Sequence, residues 1–244
     1  MNQQTAIVTG ASRGIGAAIA RRLAAEGYAV VVNYAGSAAE AGQLVASIVE
    51  QGGTAAAIRA DVADSAAVVA LFEETIARFG RVDVLVNNAG IMPPSLPRLS
   101  ETDDATFDRL MAVNVKGTFN TLREAARRMR QGARIVNLST SVTGLGRPGY
   151  AVYGATKAAV EVMTNVLSKE LRGRDIVVNA VAPGPTATEL FLNGKTEEQV
   201  DAIAKLAPLE RIGRPEEIAE VVAFLARPGI WVNGQTLRAN GGMV

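Results

Sequence analysis

Tyr153 and Lys157 lie four residues apart in a stretch whose pattern predicts a helix over Tyr150–Leu171. Residues at this spacing share a helix face, so the phenol and the ammonium are expected side by side. A free phenol has a pKa of about 10, which is too high for an efficient base at neutral pH, and a nearby cation lowers it. The pair therefore predicts a site that moves a proton. The alternative is an ordinary aromatic residue beside a solvated lysine.

A glycine-rich turn, Thr9-Gly-Ala-Ser-Arg-Gly-Ile-Gly16, follows a β-rich run and precedes a helical pattern. Glycine permits a tight turn and a close approach of backbone to ligand, and the N-terminus of the next helix attracts anions. The turn predicts a pyrophosphate site, although glycines in such turns also serve geometry alone. The residues assigned to this site are Gly10, Ser12, Arg13, Gly14, Ile15 and Gly16.

The end of the second strand indicates which dinucleotide is bound. NAD-binding proteins usually place an acidic residue there for the ribose 2′-hydroxyl, but Val32-Asn-Tyr-Ala-Gly-Ser37 contains none. Arg13, Asn33 and Ser37 can instead contact a 2′-phosphate by charge and hydrogen bonds. NADP(H) is therefore the predicted cofactor. Asp61, after the third strand, is expected to accept from the adenine amino group or to cap a turn.

The composition excludes several other chemistries. The 244 residues include 25 Lys+Arg and 24 Asp+Glu, so no broad field attracts nucleic acid or an anionic membrane. Cysteine and histidine are both absent, which excludes disulfides, thiolate chemistry and the commonest metal ligand, and no metal site is predicted. The N-terminus lacks a signal-peptide pattern and no apolar run is long enough to span a bilayer, which favours a cytoplasmic protein.

β-rich runs alternate with helical patterns along the chain, which predicts a single α/β domain over residues 1–244. Its expected architecture is one Rossmann-type, doubly wound parallel sheet with helices on both faces. The predicted strands are Thr5–Thr9, Ala29–Asn33, Thr54–Ala60, Val82–Asn87, Arg134–Leu138, Ile176–Val181 and Gln235–Arg238. The predicted helices are Ile15–Glu26, Ala38–Glu50, Ser65–Phe79, Ala105–Arg130, Tyr150–Leu171 and Pro215–Ala226.

Four motifs follow one another in order: Thr9–Gly16, Asn87-Asn-Ala-Gly90, Asn114 and Tyr153-x-x-x-Lys157. In this order the chain resembles the short-chain dehydrogenase/reductase family. It is most similar to the short branch that contains β-ketoacyl-carrier-protein reductases and glucose dehydrogenases. The resemblance covers essentially the whole chain. It implies NAD(P)-dependent interconversion of carbonyls and alcohols, usually by a homotetramer, for which helices 105–130 and 150–171 are candidate subunit contacts.

The resemblance also implies roles for particular residues. Tyr153 would protonate the carbonyl oxygen while NADPH supplies hydride, and Lys157 would also bind the nicotinamide ribose. Asn114 matches the asparagine that holds a water connecting Lys157 to solvent, and Thr188 could hydrogen-bond the carboxamide. The remaining expected cofactor contacts are Asp61 and Val62 after the third strand, Asn88, Ala89 and Gly90 after the fourth, Ser139 after the fifth, and Pro183, Gly184 and Thr186 after the sixth.

The hydroxyl that polarises the carbonyl has three candidates, Ser139, Thr140 and Ser141. An ungapped comparison of the distance to Tyr153 selects Thr140. Ser141 begins a Ser-x-x-Gly pattern like that of the family, but the match needs a one-residue adjustment in the following loop. Ser139 fits the first, cofactor-side hydroxyl of the family. We predict Ser141 as the polarising residue.

The predicted function is NADPH-dependent reduction of a ketone, aldehyde or 3-oxoacyl thioester to an alcohol. An NADP-binding sensor or scaffold with little turnover is the second hypothesis, and a DNA-binding regulator has little support. The irregular segment at about 185–208 is expected to be a substrate lid, with a surface insertion as the alternative. Pro93–Ser100 and Phe191–Leu209 are expected to shape an apolar pocket that suits an uncharged or acyl carbonyl.

Overall fold

A computed structural model describes residues 3–93 and 95–244. Seven strands form one sheet in the order β3-β2-β1-β4-β5-β6-β7, and every neighbouring pair is parallel. Pro94, which belongs to the predicted pocket segment Pro93–Ser100, lies outside the described residues. The strands are β1 (Thr5–Val8), β2 (Ala29–Tyr34), β3 (Thr54–Arg59), β4 (Val84–Asn87), β5 (Arg134–Leu138), β6 (Val177–Pro183) and β7 (Thr236–Ala239).

Helices cover both faces of this sheet. They are α1 (Gly14–Ala25), α2 (Ala38–Glu50), α3 (Ser65–Phe79), α4 (Asp104–Leu110), α5 (Gly117–Arg128), α6 (Val142–Leu145), α7 (Ala151–Glu170), α8 (Glu189–Leu192), α9 (Glu197–Ala204) and α10 (Pro215–Ala226). The central strands are apolar at nearly every position because both of their faces are buried. One core layer packs against α1, α2 and α10, and the other packs against α3, α5 and α7.

The strand order reverses between β1 and β4. The chain runs outward through β2 and β3 on one side of this point and through β5, β6 and β7 on the other. In an open parallel sheet, a crevice forms at the carboxyl ends of the strands where the order reverses. The glycine-rich turn follows β1 and the Asn88–Gly90 segment follows β4, so the topology brings both motifs to this crevice.

The predicted helix Ala105–Arg130 is helical from Asp104 to Arg128, but it contains a change of helix type. The structure divides it into α4, a π-helical segment over Met111–Lys116, and α5. Asn114 lies in the π-helical segment, and its buried side chain bonds the backbone of Ile91. A wider helical turn lets this residue reach a neighbouring loop, and π-helical turns frequently occur at functional sites.

Boundaries of the other predicted elements differ by a few residues. β4 begins at Val84 rather than Val82, because Asp83 turns its carboxylate to the backbone N–H of Thr5. β6 continues to Pro183, two residues beyond the predicted end at Val181. The irregular segment after β6 contains the short helices α8 and α9, which the sequence reading did not predict.

The described residues contain neither a membrane-spanning helix nor a cluster of metal-ligating side chains. No helix within residues 3–93 and 95–244 combines the length and apolar character needed to cross a bilayer. Across the same residues, no cluster of carboxylates is arranged to hold a metal ion.

Candidate active site

The glycine-rich turn is held against the end of β4 by side-chain hydrogen bonds. The Thr9 hydroxyl accepts from the backbone N–H groups of Asn88 and Ala89, each at 3.0 Å. The Asn88 amide in turn donates to the carbonyl oxygens of Thr9 and Gly10, also at 3.0 Å. These bonds fix the path of the turn, so that the N-terminus of α1 opens into the crevice. No side chain caps that N-terminus, and its first turn contains no acidic residue.

The glycines are required by space as well as by backbone conformation. Gly10 and Gly14 have φ values of +59° and +57°, a region that side chains other than glycine rarely adopt. A Cβ on Gly16 would lie 2.5 Å from the Asn88 amide nitrogen and 2.6 Å from the carbonyl oxygen of Gly10. The turn therefore excludes any larger residue at position 16 and leaves α1 with a bare, positively polarised end.

A cavity of about 740 Å³ lies along this turn, which is a volume in the range of cofactor sites. It collects most of the predicted cofactor residues from seven different segments of the chain. They are Gly10, Ser12, Arg13, Gly14, Ile15, Gly16, Asn33, Ser37, Asp61, Val62, Asn88, Ala89, Gly90, Ser139, Tyr153, Lys157, Pro183 and Thr188. We call this cavity the dinucleotide cleft.

Asn33 borders the dinucleotide cleft, but its side chain is not free to bind a phosphate as the sequence reading expected. It is 1 % exposed, and its amide donates to the carbonyl oxygens of Ile58 and Ala60. Its carbonyl oxygen accepts from the Gly10 N–H at 3.3 Å. Asn33 therefore ties the glycine-rich turn to the end of β3, because all of its polar atoms are engaged.

Arg13 and Ser37 both reach the rim of the cleft. The Arg13 guanidinium forms an exposed ion pair with Glu189 of α8 at 3.1 Å. Ser37 precedes α2, and its hydroxyl makes no capping bond there. Asp61 is exposed at the rim, where its Oδ1 accepts from the Ala63 N–H in a local turn. Its second oxygen remains available to a ligand, so the two roles proposed for Asp61 are compatible.

A second cavity of about 130 Å³ meets the dinucleotide cleft at Tyr153. We call it the substrate cavity. The residues that line both cavities are Ile15, Ser139, Tyr153, Pro183, Thr188 and Leu190. Apart from the hydroxyls next to Tyr153, the walls are largely apolar and include Met92, Val142, Leu145, Phe191, Ile203 and Met243. A group bound between the two cavities therefore has the Tyr153 side chain beside it.

Burial displaces the pKa values of both Tyr153 and Lys157. Loss of solvation raises the pKa of Tyr153 to about 12, an effect opposed by a hydrogen bond with Thr140. Loss of solvation also lowers the pKa of Lys157 to about 8. The expected lowering of the Tyr153 pKa by Lys157 does not occur in the chain alone, because desolvation of the phenolate is the larger effect. At neutral pH the phenol keeps its proton and Lys157 is mostly charged.

Lys157 and Asn114 come together beneath Gly90. A Cβ on Gly90 would lie 3.2 Å from the Lys157 Nζ and 3.3 Å from the Asn114 Oδ1, so both side chains need a glycine there. The Lys157 ammonium donates to the Leu138 carbonyl at 2.8 Å. The Asn114 amide donates to Ile91 and to the Thr156 hydroxyl, which connects the segment after β4 to α7. Asn114 thereby positions the helix that carries Tyr153.

Ser141, the predicted polarising residue, borders the substrate cavity, but its hydroxyl is already engaged by other groups. It is 1 % exposed, donates to the Ala182 carbonyl at 2.9 Å and accepts from the Asn240 amide at 3.0 Å. The neighbouring Thr140 hydroxyl lines the substrate cavity with Tyr153 and lowers the pKa of its phenol. The loop after β5 begins to turn into α6 at Ser141, which points successive side chains in different directions. The structure thus favours the residue that the ungapped comparison selected.

The segment after β6 divides between the two cavities. Pro183 and Thr188 line both, whereas Gly184 and Thr186, which are also predicted to contact the cofactor, line the substrate cavity. The chain bends there toward Asn240, whose Cα would lie 2.8 Å from a Cβ on Gly184. The buried Thr186 hydroxyl donates to the Gly184 carbonyl at 2.9 Å. Thr188 caps α8 by accepting from the Phe191 N–H.

The sequence reading missed three side chains at the site. Arg109 of α4 borders the dinucleotide cleft, and Arg147 and Tyr150 border the substrate cavity. The ring centroids of Tyr150 and Tyr153 are 6.4 Å apart. Arg147 is the one charged residue that the described chain contributes to the wall of the substrate cavity. The Tyr150-x-x-Tyr153 spacing was a visible signal for Tyr150, whereas no motif marked either arginine.

Fold and site together define a dinucleotide-binding α/β protein with a tyrosine and a lysine at the inner end of its cleft. A family model described as enoyl-(acyl carrier protein) reductase matches residues 10–244. An NADPH-dependent aldehyde reductase-like chloroplastic protein of Arabidopsis thaliana is 42% identical, with 99% of this chain and 94% of the relative aligned. The 3-oxoacyl-(acyl-carrier-protein) reductase FabG of Staphylococcus aureus is 44% identical, with 98% of each chain aligned.

A solved structure is similar over nearly the whole chain. A short-chain dehydrogenase from Burkholderia cenocepacia in complex with NADP has a TM-score of 0.93 and 37% identity, over 99% of this chain and 98% of the other. This chain belongs to the short-chain dehydrogenase/reductase family. It is therefore an oxidoreductase of a family that uses a nicotinamide cofactor, and the predicted Rossmann-type parallel sheet is confirmed.

Proposed function

We propose that this protein reduces a ketone, aldehyde or 3-oxoacyl thioester to an alcohol, with NADPH as the hydride donor. One observation carries the proposal: Tyr153, protonated and beside Lys157, borders both the dinucleotide cleft and the substrate cavity. A carbonyl bound at this junction meets a proton donor on the side where the cofactor enters. The relatives named for aldehyde and 3-oxoacyl reduction support the same reaction class.

The dinucleotide cleft fits the cofactor on physical grounds. The uncapped N-terminus of α1 and the side-chain-free turn suit a pyrophosphate, and the absence of an acidic residue after β2 suits a 2′-phosphate. Arg13 and Ser37 are the residues we assign to that phosphate, with Arg109 as a further cation at the cleft. The NADP complex of the Burkholderia cenocepacia relative and the NADPH-dependent Arabidopsis thaliana relative support this preference. NADPH, when bound, supplies the hydride.

The protein's part of the reaction is proton transfer. As the carbonyl carbon receives hydride, its oxygen gains negative charge and takes the Tyr153 proton, which leaves a phenolate. The adjacent Lys157 ammonium stabilises that phenolate by charge. A pKa of about 12 suits the reductive direction, because it keeps Tyr153 protonated until an anionic oxygen forms. Asn114 holds the segment after β4 against α7 and so positions Tyr153 and Lys157.

We assign polarisation of the carbonyl to Thr140 rather than to Ser141. The Thr140 hydroxyl lowers the pKa of the Tyr153 phenol and lines the same cavity, so it lies beside the proton donor that the reacting oxygen must reach. A donor placed at that oxygen stabilises the negative charge that develops in the transition state. The Ser141 hydroxyl is buried between Ala182 and Asn240, and it serves the loop instead.

The walls of the substrate cavity favour an apolar substrate. Leu190 and Phe191 of α8 and Ile203 of α9 face it, so the segment at about 185–208 contributes side chains to the cavity, as expected of a lid. We propose that this segment closes over the substrate and that residues 1–244 form one domain. Val162 and Val166 of α7 are 62 % and 45 % exposed, which supports subunit contacts on this helix in a homotetramer.

The test is NADPH oxidation with a panel of an acetoacetyl thioester, a polyol-derived ketone and an aromatic aldehyde, with NADH as comparator. We expect turnover of at least one carbonyl class with a preference for NADPH. Tyr153→Phe should lower kcat by about 10²–10⁴-fold and leave NADPH binding intact, because it removes only the proton donor. Tight NADPH binding without turnover of any carbonyl would contradict the proposal and favour the sensor or scaffold hypothesis.

A further inference from the structure

Glu161 lies on α7, one turn beyond Lys157 and two turns beyond Tyr153. Its Oε1 accepts from the Ser139 hydroxyl at 2.6 Å and from the Thr143 hydroxyl at 2.9 Å. Both hydroxyls belong to the segment that follows β5 and leads through α6, which also contains Thr140. Glu161 lines neither cavity, so it acts on the site only through these bonds.

The acceptors around Ser139 determine where its hydroxyl proton points. A hydroxyl carries one proton, and an ionised carboxylate can only accept. Ser139 has two acceptors in reach, the Glu161 carboxylate at 2.6 Å and the Lys157 carbonyl at 3.4 Å. The shorter bond to a charged acceptor is the stronger one, so the proton points to Glu161. The Ser139 oxygen then presents lone pairs to the junction of the two cavities, which it lines.

The hydroxyls of Ser141 and Thr140 differ in whether their proton already has an acceptor. The Ser141 proton is taken by the Ala182 carbonyl at 2.9 Å. The Thr140 oxygen accepts from the Val142 N–H at 3.4 Å, and the Thr140 side chain lines the substrate cavity with Tyr153. Within residues 3–93 and 95–244, no carbonyl or carboxylate oxygen accepts the Thr140 proton. Of the three hydroxyls, only Thr140 can donate to a substrate oxygen.

We propose that Glu161 is a positioning residue that sets the direction of the hydrogen bonds beside Tyr153. By accepting the Ser139 proton, it makes Ser139 an acceptor toward the cleft and leaves Thr140 as the sole hydroxyl donor of the loop to the substrate carbonyl. It also fastens the loop to the helix that carries Tyr153 and Lys157. The inference rests on the proposed carbonyl reduction.

One detail makes the proposal testable with a conservative variant. Both hydroxyls bond the same carboxylate oxygen, Oε1, so a glutamine can keep both bonds through its amide oxygen. Glu161→Gln is therefore expected to retain a kcat close to that of the wild type. Glu161→Leu has no acceptor, frees the Ser139 and Thr143 protons, and should lower kcat by about 10–100-fold through misplacement of the donor loop.

The measurements are kcat and KM for one carbonyl substrate, the Kd of NADPH by fluorescence, and the free energy of unfolding. We expect Glu161→Leu to lower kcat and leave the Kd of NADPH nearly unchanged. Glu170→Leu is the matched control, because Glu170 is an exposed carboxylate of the same helix. It should change neither quantity. A Glu161→Gln variant as impaired as Glu161→Leu would overturn the acceptor role.

A double-mutant cycle separates the effect of Glu161→Leu on kcat from its effect on folding stability. Because Glu161 acts partly through Ser139, the effects of Glu161→Leu and Ser139→Ala on kcat should be less than additive. Ser139→Ala should also cost less in kcat than Thr140→Val, since Ser139 does not donate to the carbonyl. Additive effects, or equal losses in the two single variants, would overturn the inference. If Thr140→Val abolishes turnover while Glu161→Leu does not reduce it, the proposed function stands and only this inference fails.

Discussion

The two cavities that meet at Tyr153 are built in different ways. The dinucleotide cleft is formed largely by backbone, through a glycine-rich turn fastened by the side chains of Thr9, Asn33 and Asn88. The substrate cavity is formed by side chains, many from the short helices α6, α8 and α9. Leu190, on its wall, is 52 % exposed. A binding site formed by the backbone tolerates few substitutions but binds one ligand well. A site formed by side chains can change its ligand preference through single substitutions.

The largest expected effect is a difference in kcat between variants of Thr140 and of Ser141. Thr140→Val keeps the shape of the side chain and removes its proton, so kcat should fall by about 10²–10³-fold, as for loss of an oxyanion donor. Ser141→Ala should leave kcat nearly unchanged and lower the free energy of unfolding by about 1–3 kcal/mol, because it removes the Ser141 donor to the buried Ala182 carbonyl. Steady-state kinetics and denaturant titration of both variants provide the measurement. The reverse pattern would restore Ser141 as the polarising residue.

The next prediction tests whether the dinucleotide cleft requires the absence of a side chain at Gly16. Gly16→Ala would place a Cβ 2.6 Å from the Gly10 carbonyl oxygen, so the turn must shift. We expect a loss of about 1–3 kcal/mol in the free energy of unfolding, together with weaker NADPH binding. Gly42→Ala is the control, since this exposed glycine of α2 has no atom within 4 Å of the added Cβ. It should stabilise the protein by about 0.5–1 kcal/mol through helix propensity.

A third prediction concerns the buried ammonium at the junction. Burial lowers the pKa of Lys157 to about 8, so between that pH and its usual value near 10.5 the unfolded chain binds more protons than the folded one. Stability therefore rises with pH in this window. Relative to Lys157→Met, the wild type without cofactor should gain about 2–3 kcal/mol in the free energy of unfolding between pH 7 and pH 10. Denaturant titrations of both proteins at each pH measure the difference, and parallel pH dependence would refute it.

The smallest effect tests whether a single residue of the substrate cavity changes its preference between charged and uncharged substrates. Arg147 is the one charged residue that the described chain places on its wall. Arg147→Gln should lower kcat/KM for a keto acid by about fivefold relative to its methyl ester, the size expected for a solvent-exposed ion pair. Arg130→Gln is the control, because this exposed arginine borders neither cavity. An unchanged ratio of acid to ester would show that Arg147 does not contact the substrate.

Much of the fold was predictable because its signals are local. Apolar runs marked the buried strands, and glycines such as Gly80 marked helix ends, so α2, α3 and α10 were predicted with their exact bounds. The π-helical segment was not predictable, because it is explained by a bond from Asn114 to Ile91, 23 residues away. The short helices α8 and α9 were missed for a related reason, since few of their residues are buried.

The sequence by itself determined the parallel sheet, the glycine-rich turn and the pairing of Tyr153 with Lys157, because spacing along a strand, a turn or one helix is a property of neighbouring residues. Only the tertiary structure decided what the polar side chains do. The Asn33 amide donates to the carbonyl groups of Ile58 and Ala60. Ser141 is engaged by Ala182 and Asn240, which lie 41 and 99 residues further along the chain. A hydroxyl has a single proton, and which acceptor receives it depends on groups that come together only when the chain folds.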